Sequence, residues 1–70
     1  MTLKELIKHL RTKENMSQSE FAQRLGVSQV RVSNWESGTR LPTVKQMKVL
    51  HEFTGASIEV LFRAYLKEVE

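Results

Sequence analysis

Twelve consecutive residues, Ser17 to Ser28, leave this chain little freedom in how it folds. Ser17 is a preferred helix N-cap, and Glu20, three residues later, is placed to bond back to it in a capping box. Met16 and Phe21 stand where a hydrophobic staple closes the same end. Gly26 fits the left-handed position that stops a helix, where a Cβ is costly. Val27 and Ser28 then repeat the pattern, as staple residue and N-cap of another helix running to about Glu36. The segment therefore specifies two short helices that meet across a tight turn.

The same pattern extends along the chain and gives an all-α fold. Thr2 with Glu5 offers another capping box, and Leu3, Leu6, Ile7 and Leu10 share one helical face. A first helix is expected over about 3–14, with Lys4, Lys8 and Lys13 outward. The second covers about 18–25 and buries Phe21, Ala22 and Leu25. The third covers about 29–36 and buries Val32 and Trp35, with Gly38 as its stop. Pro42 holds Leu41 extended, and Thr43 with Gln46 caps a fourth helix over about 44–54, expected to bury Val44, Met47, Leu50 and Phe53. Gly55 ends it. Ser57 caps a fifth, over about 58–69, whose apolar residues Ile58, Leu61, Phe62, Tyr65, Leu66 and Val69 keep helical spacing. Five helices in one domain, residues 1–70, is the expectation, and a domain of this size buries only about 60% of its unfolded surface.

Function is concentrated on the third helix. Val32 and Trp35 supply its only apolar i, i+3 pair, so they face inward and leave Gln29, Val30, Arg31, Ser33 and Asn34 around the outward surface. Asn and Gln match adenine N6 and N7, Arg matches guanine O6 and N7, and Val30 suits a thymine methyl. A merely solvated face more often carries Glu and Lys four residues apart; here no acid precedes Glu36. A pair of short helices with such a second member is a helix-turn-helix, a unit often used to place that helix in the major groove. The helix starts at Gln18 and Gln29 offer free N–H groups to phosphates. Gln18 and Ser28 add side-chain donors, and Lys13 and Arg40 add charge. The net charge of +3, from eleven Lys and Arg against eight acids, is too modest to carry this reading alone.

Ser-Gln-x-x-Phe-Ala-x-x-Leu-Gly-Val-Ser from Ser17, together with Asn34-Trp35-Glu36-Ser37-Gly38, resembles the phage-repressor family of helix-turn-helix proteins (Cro/cI-like, or XRE). The similarity runs over about residues 3–62 and implies a five-helix, lambda-repressor-like DNA-binding fold. It implies base contacts for Gln29, Val30, Arg31 and Asn34, a phosphate contact for Gln18, and a small residue, Ala22, where the second and third helices cross. It also implies an ion pair between Arg11 and Glu36, tying the first helix to the end of the third. The chain departs from the family in continuing its last amphipathic helix to Glu70. Tyr65, Leu66 and Val69 then have no core of their own to cover, and a dimer seam is the expected use.

Other chemistry lacks support. His9 and His51 have no ligand-spaced partners, so no metal is expected; Ser17, Ser28 and Ser57 are caps without a neighbouring base, so no catalytic residue is expected. No cofactor site and no membrane span are read. The chain has no cysteine, and a cytoplasmic, nucleoid-associated protein is expected. The expected function is sequence-specific binding of double-stranded DNA as a small transcriptional regulator, a repressor acting as a homodimer on a pseudo-palindromic operator. A second reading keeps the fold and makes a protein the main partner, as in an antitoxin or anti-repressor that binds DNA for autoregulation.

Overall fold

A computed structural model describes all residues 1–70 and contains five helices: α1 (Leu3–Thr12), α2 (Gln18–Leu25), α3 (Gln29–Ser37), α4 (Val44–Thr54) and α5 (Ile58–Val69). Each begins at a hydroxyl residue in extended conformation, namely Thr2, Ser17, Ser28, Thr43 and Ser57. At α2 the Ser17 Oγ accepts the Glu20 N–H at 3.0 Å, while Glu20 Oε1 accepts the Ser17 N–H at 2.9 Å. Thr43 and Gln46 exchange the same two bonds at α4. These local bonds satisfy backbone donors that a helix start otherwise leaves open.

Twelve buried apolar residues form one cluster. α1 contributes Leu3, Leu6, Ile7 and Leu10; α2 contributes Phe21, Ala22 and Leu25; α3 contributes Val32 and Trp35. Leu50 comes from α4, and Leu61 and Ala64 from α5. α3 lies against α1 and α2, whereas α5 lies against α1 and α4. Burying a side chain such as Phe21 completely stabilises the fold by about 1.5–3 kcal/mol. Ala22 is buried as well, so a larger residue there would force the helices apart at a cost of about 1–3 kcal/mol.

Three features depart from the sequence-based expectation. α1 ends at Thr12 rather than at Glu14. The Thr12 hydroxyl donates back to Lys8 O at 2.9 Å, Glu14 and Met16 N–H both turn onto Arg11 O, and Asn15 takes a left-handed φ of 57°. Lys13 consequently sits at the helix cap. α3 extends one residue further, to Ser37, before Gly38 turns at φ 81°. On α4, Val44 is 88% exposed and Phe53 is exposed too, although its ring meets that of Phe21 at 6.1 Å. Leu50 alone of that helix is buried, with Met47 and Val49 half-buried against the core.

Candidate nucleic-acid interface

Gly26, at φ 74°, makes the turn between α2 and α3. The N–H groups of Gly26 and Val27 close onto Gln23 O and Ala22 O, at 3.3 and 3.0 Å, so the turn is bonded throughout and α3 leaves α2 at a fixed angle. Ser28 then caps α3, its Oγ accepting the Arg31 N–H at 3.1 Å. That role uses the oxygen as acceptor and leaves the hydroxyl hydrogen free for an outside acceptor.

Val32 and Trp35 anchor α3 by its inner side and are both buried. Gln29, Val30, Arg31 and Ser33 are exposed and Asn34 is half-buried. Val30, an apolar residue, is 69% exposed. The five candidate base-reading residues thus share a continuous, amide-bearing, acid-free surface. The far end of α3 is equally fixed. Asn34 O accepts the N–H groups of Thr39 and Arg40, at 3.0 and 3.2 Å, so the loop carrying the exposed Arg40 folds back onto the helix. Lys13 is exposed at the end of α1.

Glu36, the one acid of α3, is held away from this surface. Its Oε2 accepts from Arg11 Nε at 2.7 Å and its Oε1 from another guanidinium nitrogen of Arg11 at 2.9 Å. Arg11 also donates to Met16 O at 2.8 Å, and the two side chains are 12% and 6% exposed. The hydrogen bond to Glu36, more than any other influence, raises the Arg11 pKa above its ordinary value. Gln18 Nε2 donates to Glu36 Oε1 at 3.2 Å. One Gln18 side-chain N–H is therefore spent on the protein, leaving the second without a partner in the fold. The Gln18–Glu36 bond had no local signal, because it joins residues eighteen positions apart.

A second surface is apolar. Leu66 and Val69 are 45% and 51% exposed, and Tyr65 is half-buried with its ring stacked 6.2 Å from that of Phe62. Val44, Ile58 and Phe62, which helical spacing alone did not assign to this surface, are exposed beside them. Val44, Ile58, Phe62 and Tyr65 line an open groove of 560 Å³ between α4 and α5, and Leu66 and Val69 lie outside it. The signal for Ile58 and Phe62 was their i, i+4 spacing, continued by Leu66, which makes a stripe separate from that of Leu61 and Ala64. His51 Nδ1 lies 2.6 Å from Ala56 O, within the turn between α4 and α5.

Residues 7–61 match the helix-turn-helix family. The chain belongs to the XRE-type helix-turn-helix family. The family is one of DNA-binding transcriptional regulators, and the matched span contains every candidate DNA-contacting residue described above. It is 34% identical over 61 residues to the HTH-type transcriptional activator BcrR of Enterococcus faecalis. The aligned part is 87% of this chain but 30% of that protein. The fold is shared with a point mutant of the restriction-modification controller protein C.Esp1396I, at a TM-score of 0.73 and 24% identity, over 96% of this chain and 87% of the other. No helix is long and apolar enough to cross a membrane.

Proposed function

We propose that this XRE-type domain binds double-stranded DNA sequence-specifically as a homodimer on a pseudo-palindromic operator and represses transcription there. The observation that carries this is the outward face of α3: Gln29, Val30, Arg31 and Ser33 stand exposed on a helix anchored from behind by Val32 and Trp35. Gln29, Val30, Arg31, Ser33 and Asn34 read base edges. Lys13, Gln18, Ser28 and Arg40 hold phosphates and set register. One helix of this length spans only a few base pairs, so two copies are required for useful specificity, with half-sites about 34 Å apart. Tyr65, Leu66 and Val69 of α5 form the seam between copies. Repression needs no more than occupancy of a site that overlaps a promoter; the activator name of the Enterococcus relative belongs to a protein about three times longer.

Selection of bound fragments from a random duplex library tests the proposal. A symmetric consensus with two half-sites one helical turn apart is expected, and a reporter whose promoter overlaps it should be silenced. Bound fragments without any common sequence would refute base reading, and a single unsymmetrical half-site would refute the homodimer. The exposed Val44, Ile58 and Phe62 favour one further reading, in which a protein partner such as a toxin or another regulator covers this face. A partner gene adjoining this one, whose product binds the chain and is neutralised by it, would favour that reading.

A further inference from the structure

The last turn of α5 is held to the protein by one polar contact. Leu61 and Ala64 bury the earlier turns, but past Tyr65 the apolar side chains, Leu66 and Val69, both lie exposed. Glu68 alone points back. Its side chain is 13% exposed, its Oε1 accepts the Lys4 backbone N–H at 2.9 Å, and its Oε2 lies 4.0 Å from Lys4 Nζ. Lys4 is the second residue of α1, so its N–H has no acceptor within the helix, and the positive end of the helix dipole favours a carboxylate there. The clasp also closes over the end of α3. A Cβ on Gly38 would stand 3.2 Å from Lys4 Cδ and 3.6 Å from Glu68 Oε2. One carboxylate thus ties the last turn of α5 to the start of α1, beside the Gly38 turn that ends α3. Lys4 and Glu68 both lie outside the span 7–61 that matches the family.

Resting on the homodimer reading above, we infer that Glu68 is a positioning residue that fixes the subunit seam relative to the reading helix, and so sets the half-site spacing the dimer accepts. Leu66 and Val69 flank Glu68 on the same turn, and a helix end without buried apolar contact frays. With the clasp in place, the seam residues are registered against α1, which packs on α3. Without it, the seam pivots, and duplexes with altered spacing become acceptable. A tie that served stability alone would leave spacing preference untouched.

The test compares wild type with Glu68→Ala and Glu68→Gln. Three quantities are measured: hydrogen exchange of the Lys4 N–H, affinity for a duplex with one half-site, and affinity for duplexes whose half-sites are one base pair closer or further apart than selected. Wild type is expected to prefer its own spacing by about tenfold or more. Glu68→Ala should lose Lys4 protection and reduce that preference to about threefold or less, with single half-site affinity changed less than about twofold. Glu68→Gln, which keeps an acceptor for the Lys4 N–H, should retain most of the preference. Should Glu68→Ala not fold, Glu68→Asp, whose carboxylate falls one methylene short, is read in its place. Lost Lys4 protection with an unchanged spacing preference overturns the inference. A wild-type chain that sediments as a monomer and prefers no spacing removes the homodimer reading itself, and this inference with it.

Discussion

Replacing Arg11 alone, by methionine, should bring the domain close to unfolding, whereas replacing Arg11 and Glu36 together should not. Arg11 supplies two of the three hydrogen bonds to a carboxylate that is 6% exposed, and a further bond to Met16 O. Arg11→Met leaves that charge with Gln18 as its one partner. Breaking a buried pair in this way costs about 3–5 kcal/mol, because the surviving charge stays desolvated. A chain of 70 residues has a total stability of about 4–10 kcal/mol, so the loss is a large part of it. It corresponds to a fall in Tm of about 12–40 °C. Arg11→Met with Glu36→Met removes both charges and fills the space with apolar atoms, which is often close to neutral. The sole tryptophan, Trp35, is buried one residue from Glu36, so urea denaturation followed by its fluorescence reports the region directly. The double variant should recover at least about 2 kcal/mol relative to the sum of the two single losses. A single-variant loss below about 1 kcal/mol, or strict additivity of the pair, would refute the reasoning.

Gln29→Ala should cost about 1–3 kcal/mol on the selected site and little on random duplex, measured by titration on both. Arg40→Ala should weaken all sequences alike and lower the salt slope by about 0.9 for each phosphate that is no longer neutralised; equal weakening by both variants on every sequence would show that Gln29 reads no base. Leu66→Asp should convert a dimer to a monomer in sedimentation equilibrium, and identical monomers for variant and wild type at high micromolar concentration would remove the seam. Glu20 lies below its ordinary pKa of 4.5, first because the Ser17 backbone N–H bonds its carboxylate and then through the Ser17 hydroxyl. Glu5 is lowered in the same way by Thr2. A lowered folded-state pKa means that these contributions are complete above about pH 4.5 and vanish as pH falls through the folded values. Glu20→Gln should therefore flatten the acid limb of stability against pH, and an unchanged limb would show that the capping box is not coupled to folding.

What the sequence made legible follows from the range of the interactions involved. The bounds of α2 were readable because caps, staples and the stop at Gly26 are local, acting within four residues. α1 was read two residues too long because its stop is not glycine: Asn15 takes the left-handed turn, and the Thr12 hydroxyl bonds back to Lys8 O. Asparagine is a known second choice for that position, so the signal was present. The fate of Val44 and Phe53 was not readable. Helical spacing places residues on one face but does not say how wide a strip of that face the rest of the fold can cover. On α4 the covered strip takes Leu50 fully and Met47 and Val49 in part, and stops short of Val44. The same limit applies to α5, where Leu61 and Leu66 look alike in the sequence but are 1% and 45% exposed. Glu68 was invisible for a different reason. Its partner is a backbone N–H sixty-four residues away, and no side-chain pattern encodes that.

The net charge of +3 understates how the chain meets a polyanion. All eight acids are glutamates, and three of them are paired with a cation: Glu36 with Arg11, Glu59 with Arg63, and Glu68 with Lys4. Among the eleven Lys and Arg only Lys4, Arg11 and Arg63 lie within ion-pair distance of an acid. An engaged pair presents a dipole whose field falls off faster than that of a lone charge, and at physiological salt anything beyond about 8 Å is screened. A phosphate close to the surface therefore meets the unpaired cations first. Between Ser17 and Arg40 the acid of α3, Glu36, is paired with Arg11, which leaves Glu20 as the one unpaired acid against three exposed, unpaired cations, Arg24, Arg31 and Arg40. The bond from Arg11 to Glu36 thus has two consequences from one geometry. It locks the end of α3 to α1, and it neutralises the one negative charge on that helix, which would otherwise repel a phosphate backbone.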